Sequence, residues 1–97
     1  MKATLGTDKT LLFWCPGCNE AHGIPVDGTK GWTWNGSLEN PTVSPSIVIG
    51  RTTWVNGFEE RLVKCHSFVR EGTIEFLSDS VHELAGQTVD LPDWDRQ

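Results

Sequence analysis

The chain has 97 residues, 13 acidic side chains against 8 basic ones, and a net charge of −5. It is one domain, short enough that folding buries only about 60–65% of the surface exposed by the unfolded chain, so a metal staple would be a physically sensible supplement to its core. The basic residues Lys2, Lys9, Lys30, Arg51, Arg61, Lys64, Arg70 and Arg96 are spread singly. With no stripe to neutralise a run of phosphates, nucleic acid is disfavoured as a partner.

The start, Met1 to Asp8, has no apolar stretch of a secretory leader, and the longest apolar runs, Leu11–Trp14 and Ile47–Ile49, fall far short of a membrane span. The expected compartment is the cytosol. Residues 1–10 and 95–97 are expected to be loose around a single zinc-stapled domain. Gly, Asn and Pro punctuate the chain every eight to twelve residues, the rhythm of a small all-β fold.

Leu11–Trp14 reads as a strand that runs into the turn Cys15-Pro16-Gly17-Cys18, and Ile24–Val26 reads as its return. Trp32–Ser37 reads as a further strand ending on Asn35-Gly36. Glu39–Ser46 carries Pro41 and Pro45, which force extended backbone and confine it to an edge strand or loop. Ile47–Val55, the Asn56-Gly57 turn and Phe58–Arg70 form the clearest hairpin. Thr73–Leu77 completes a three-stranded meander. Asp79–Gly86 reads as a short helix, with a Ser80/Glu83 capping box and a Gly86 exit. The tail Thr88–Trp94 is expected to dock Val89, Leu91 and Trp94 on the body. The fold class that results is mainly β: a small antiparallel domain with a zinc-ribbon-like knuckle, the meander and one short C-terminal helix.

All three cysteines and two of the three histidines fall into two clusters, Cys15/Cys18 with His22, and Cys65-His66. Zinc takes four ligands from Cys sulfur and His nitrogen, and a Cys-x-x-Cys turn supplies two of them. An odd number of cysteines suits a Cys3His site better than disulfides. A thioredoxin-like use of the motif would need a βαβ context, which is missing. A strand sends consecutive side chains to opposite faces, so Cys65 and His66 reach one metal only through a bulge. Two ligands per cluster is the commoner zinc pattern, which points to Cys15, Cys18, Cys65 and His66 as the set, with His22 as the alternative fourth ligand. Four donors close the shell and make the metal structural. No His-Glu-x-x-His or related motif supplies a catalytic base. His82, Glu83 or Asp79 are the spare groups that could serve one, and no catalytic residue is assigned. Trp32 and Trp34 alternate onto one face, above Trp54 and Phe68; with His82 they form the candidate partner surface, although core packing accounts for them better.

Several segments taken together resemble a known group: Phe13–Cys18 with His22, Trp32–Gly36, Asn40–Ile47, Cys65–Val69, Ile74–Leu77 and His82–Pro92. They resemble small phage and prophage proteins of unknown function that often carry the label "ammonia monooxygenase". The chain is also similar to a broader domain family, some of whose members sit near bacterial ubiquitin-like conjugation genes. The resemblance implies a phage-encoded, cytoplasmic, metal-binding protein and supplies no catalytic residues. The monooxygenase label fails physically, because the chain has no spanning helices and no His-rich copper site. The expected function is a zinc-binding interaction or counter-defence module whose partner is a host or phage protein, with a dimer as a candidate state. The alternative is a small zinc-dependent hydrolase that uses a spare histidine.

Overall fold

The computed structural model describes residues 1–96, apart from the side chains of residues 51–53, 60–63 and 96. Eight strands form two antiparallel sheets. The smaller has the order β1 (Ala3–Leu5), β2 (Thr10–Cys15), β3 (Glu20–Pro25). The larger has the order β4 (Thr33–Trp34), β5 (Val43–Val55), β6 (Phe58–Arg70), β7 (Thr73–Phe76), β8 (Thr88–Asp90). The meander is therefore β5-β6-β7. Its two turns need left-handed backbone at both central residues, supplied by Asn56-Gly57 (φ 53° and 83°) and Glu71-Gly72 (φ 52° and 78°).

Alternation on the strands builds one core between the sheets. Leu11, Phe13 and Cys15 on β2 and Ile24 on β3 meet Val43, Ile47, Cys65, Val69, Ile74 and Phe76 of the larger sheet, with Leu91 at the margin. Burying each of the larger side chains stabilises the fold by about 1.5–3 kcal/mol. Trp32 and Trp34 pack partly buried against this core, so their bulk belongs mostly to the body. Trp54, by contrast, stands 69% exposed near the far end of the β5–β6 hairpin and does not pack beneath them.

Two expectations are corrected. The first residues are not loose: β1 pairs with β2 in the register Ala3↔Phe13, and Ala3 is buried. The end is ordered as far as a 3-10 turn at Trp94–Arg96, where Trp94 N–H donates to Met1 O (2.8 Å); Gln97 lies outside the described residues.

The C-terminal helix is absent among the described residues, and 78–86 is a run of turns. Tertiary bonds outcompete the local capping pattern. Leu77 N–H donates to His66 O (2.8 Å), Val81 N–H to Lys64 O (3.1 Å) and Gly86 N–H to Phe76 O (3.0 Å). A helix of so few residues has little cooperative stability to set against such bonds.

Two irregularities place the functional residues. Between Val43↔Val69 and Ile47↔Ser67, β5 spends four steps where β6 spends two, so Ser44-Pro45-Ser46 bulges out of the ladder. Between Ile49↔Cys65 and Gly50↔Val63, β6 carries one extra residue, Lys64. Such bulges re-aim side chains locally.

Candidate active site and metal centre

Strand β6 presents two chemistries on its two faces. Cys65, Ser67 and Val69 point into the core, while His66 points away from it and is only partly buried. Inside, Cys65 Sγ lies 3.9 Å from Cys15 Sγ and 3.5 Å from His82 Nε2. With Cys18, one ligand atom from each of these four residues lies within 4.8 Å of every other. The edges of a tetrahedral zinc site with these donors are about 3.8 Å between sulfurs and about 3.5 Å between sulfur and nitrogen, from the usual bond lengths. The cluster therefore has the spacing of a closed Cys3His centre that could hold a metal ion.

The three cysteines arrive as the spacing implies, but the fourth donor does not. The histidine in the cluster is His82, not His66 or His22. Its ring is wedged edge-on to Phe76 (centroids 4.4 Å apart, 83°) and lies over Gly17, where any Cβ would collide with it. Gly17 is thus required less for the curl of the Cys-x-x-Cys turn than for the room it leaves this imidazole. His22 is 3% exposed, sits edge-on to Phe13 at 5.6 Å and has no hydrogen-bond partner for its Nε2. It stands beside Cys15 and helps to lower the pKa of that thiol.

The electrostatics within the cluster concentrate one negative charge on Cys15. The thiol of Cys65 donates to it and, with help from His22 and the Cys18 N–H (3.4 Å), pulls its pKa down to about 4. Burial and the charge on Cys15 push Cys18 up to about 11. The hydrogen bond to Cys15 and burial push Cys65 up as well. Lys64, ion-paired with Glu20 at 2.6 Å, stands beside the group, and that pair raises its pKa.

On the outer face, His66 Nδ1 lies 3.1 Å from Asp79 Oδ2 and 3.2 Å from Oδ1. His66 Nε2 lies 3.2 Å from Ser46 Oγ. A carboxylate orients an imidazole whose other nitrogen faces a hydroxyl, the geometry by which a serine is activated as a nucleophile. Each member is placed by a different device. Ser46 sits on the β5 bulge. His66 is on the central strand. Asp79 is on the turn that follows β7.

Ser80, buried next to Asp79, ties that turn down: the His66 N–H donates to Ser80 Oγ (2.9 Å), and Ser80 Oγ–H donates back to His66 O (3.1 Å). Asp79 itself is 53% exposed, so water screens its charge and its main contribution is to orient the ring. Neither Ser46 nor Asp79 stands out in the sequence as part of a triad. The one signal is the Pro-bracketed segment Asn40–Ile47, whose forced extension places a serine at a strand irregularity.

A serine, a histidine and a carboxylate in this order have the arrangement of a serine hydrolase triad, here beside a Cys3His cluster. The chain belongs to the family described as bacterial ubiquitination-like system serine protease (BubE), whose model matches residues 2–77. The match includes Ser46 and His66 and ends two residues before Asp79, whose place in the site rests on geometry. It carries the resemblance toward ubiquitin-like conjugation systems. No curated protein and no solved structure matches.

Proposed function

We propose that this chain is a serine protease of a bacterial ubiquitin-like conjugation system, with Ser46 as nucleophile, His66 as general base and acid, and Asp79 as the orienting carboxylate. The observation that carries the reading is the continuous Ser46 Oγ–His66–Asp79 contact series, with both links at 3.1–3.2 Å. Apo serine–base contacts are often slightly long and tighten in the substrate complex. Ser46 Oγ attacks the scissile carbonyl as its proton passes to His66 Nε2, and the imidazolium is held by Asp79 at Nδ1. Collapse of the tetrahedral intermediate breaks the bond to the leaving group, which takes the proton from His66. Water, deprotonated by His66, then hydrolyses the acyl-Ser46 ester and restores the hydroxyl. In keeping with the family description, the acyl group would come from a ubiquitin-like modifier, as precursor or conjugate.

The metal, on this reading, is a structural zinc held by Cys15, Cys18, Cys65 and His82. Bound there, it supplies folding free energy, on the order of 10–16 kcal/mol in zinc-finger peptides. Held by these residues, a metal would tie β2 of the small sheet to β6 and to the turn that bears Asp79. The alternative of a zinc hydrolase is weaker, because four protein donors leave no open position for water, and of the two histidines outside the cluster His66 is engaged by Ser46 and Asp79 while His22 is buried.

The test is hydrolysis of a modifier precursor from such a system, followed by gel and mass spectrometry. The wild-type chain is expected to cleave it. Ser46→Ala and His66→Ala should reduce the rate by about 10³-fold or more while keeping the metal. Equal cleavage by Ser46→Ala would sink the proposal.

A further inference from the structure

A serine nucleophile needs a bed for the chain it cuts, and the arrangement of the larger sheet supplies one. Its strand β4 is only two residues long and pairs with β5 at Trp34↔Val43 and Thr33↔Ser44. Strand β5 continues from there to Val55 with β6 on one side. Among the described residues, its other edge from Pro45 onward has no strand neighbour. The empty lane begins one residue before Ser46.

The relay runs across the sheet toward that lane. Asp79 lies on the turn after β7, His66 is on β6, Ser46 is on β5, and the open edge comes next. A substrate beside β5 would therefore run next to the hydroxyl, with the scissile bond still within reach of His66 for protonation of the leaving group.

Such long open edges are ordinarily blunted, because their unpaired N–H and C=O groups recruit other strands. Here the edge carries exposed apolar side chains instead. Val48 pairs with His66 and is 54% exposed, about 7 Å along the strand from Ser46. Trp54, eight residues from Ser46, falls on the same face by alternation, since the second bulge lies on β6 and leaves the phase of β5 intact.

We propose that the substrate binds by adding an extended segment as a strand along the free edge of β5, in the lane that β4 leaves at Thr33. This rests on the serine protease reading and names the form of its substrate. Because β4 fills the lane on the other side of Ser44, the long arm of the substrate lies toward the hairpin tip. That arm is the acyl side, the extended tail of the modifier, and Val48 and Trp54 are the side-chain contacts along it. Main-chain bonds supply affinity with little sequence demand, and the alternate side chains supply selectivity, as in other strand additions.

The test compares rates of Ser46 inactivation in the wild-type, metal-loaded chain. Diisopropyl fluorophosphate needs no strand: Ser46 Oγ bonds to phosphorus, fluoride leaves, and the hydroxyl proton is taken by His66. An acetyl-tetra-alanyl diphenyl phosphonate reacts similarly, with phenol as the leaving group, and carries a peptide backbone. A scan then places one N-methyl group at each peptide nitrogen in turn. Strand addition predicts that alternate N-methyl positions slow inactivation about tenfold, with the intervening positions nearly silent, because only every second N–H faces β5. Rates insensitive to N-methylation, with Ser46 still labelled by diisopropyl fluorophosphate, would overturn the strand proposal alone. No labelling of Ser46 by either reagent would overturn the protease reading beneath it. A dimer through paired β5 edges, seen by light scattering together with a flat scan, would assign the lane to a second copy of this chain and also overturn the proposal.

Discussion

The two faces of β6 differ by one residue in sequence and by almost everything in chemistry. Cys65 looks inward to a crowded cluster, buried at Cys15 and Cys65 and half-buried at Cys18 and His82, whose donors stand near coordination spacing. His66 looks outward to a half-exposed carboxylate and a hydroxyl on a strand bulge. The inner face has the closure that stability requires, and the outer face has the access that catalysis requires. The turn 77–82 joins them, since Asp79 serves one face, His82 the other, and Ser80 clamps the backbone of His66 between the two. On the proposed reading, a metal held by the inner cluster would tie down two of the supports of the outer triad.

The largest expected effect breaks both faces at once. Cys65→Ser, or metal removal by a strong chelator, should unfold the domain or shift its thermal midpoint by tens of degrees, since the centre is worth on the order of 10 kcal/mol. Circular dichroism and elemental analysis check this. A chain that keeps both its fold and its midpoint without metal would contradict the structural role. Next comes a swap of histidines. His82→Ala should lower metal stoichiometry or affinity, whereas His66→Ala should leave the metal in place and remove cleavage. The opposite pattern would restore His66 as the ligand.

Asp79→Asn separates the faces more finely. It is expected to lower kcat by about 10²–10⁴-fold with little change in KM or metal content, through loss of the imidazole orientation. Ser80→Ala should be smaller, about tenfold in kcat, because it removes one bridging hydroxyl and leaves the triad itself. Its readout is the ratio of kcat to KM effects together with an unchanged metal content.

The inner face also makes a prediction about protons. Metal binding needs thiolates. In the metal-free cluster Cys15 is already ionised above a pKa of about 4, whereas Cys18, near 11, and Cys65, pushed up by Cys15 and by burial, hold their protons at neutral pH. Loading should release about two protons and strengthen as pH rises. Calorimetry in buffers of different ionisation enthalpy reads this directly, and zero release would mean that the cysteines do not bind as thiolates.

Much of the fold is legible in the sequence for simple physical reasons. The Asn56-Gly57 and Glu71-Gly72 turns and the alternation around them specify the meander. The rule that neighbours on a strand face apart separates Cys65 from His66. Counting ligands per cluster points to His66, with His22 as the alternative, whereas the donor that completes the cluster, His82, sits in a segment with the local marks of a helix. Those marks lose to ladder bonds from β6 and β7, which only the assembled sheet provides. The triad is hidden for a related reason. Its members lie 20 and 13 residues apart from His66 and meet through a bulge and a turn rather than through a motif.

The central claim is that Ser46, on the outer face, is a nucleophile activated by His66. Its most direct test is intact-mass and peptide mass spectrometry of the metal-loaded chain after treatment with diisopropyl fluorophosphate. The account predicts one diisopropyl phosphoryl group per chain, on Ser46, with labelling greatly slowed in His66→Ala and the metal retained. An unlabelled Ser46 in the folded, metal-loaded protein, or equal labelling without His66, would contradict it.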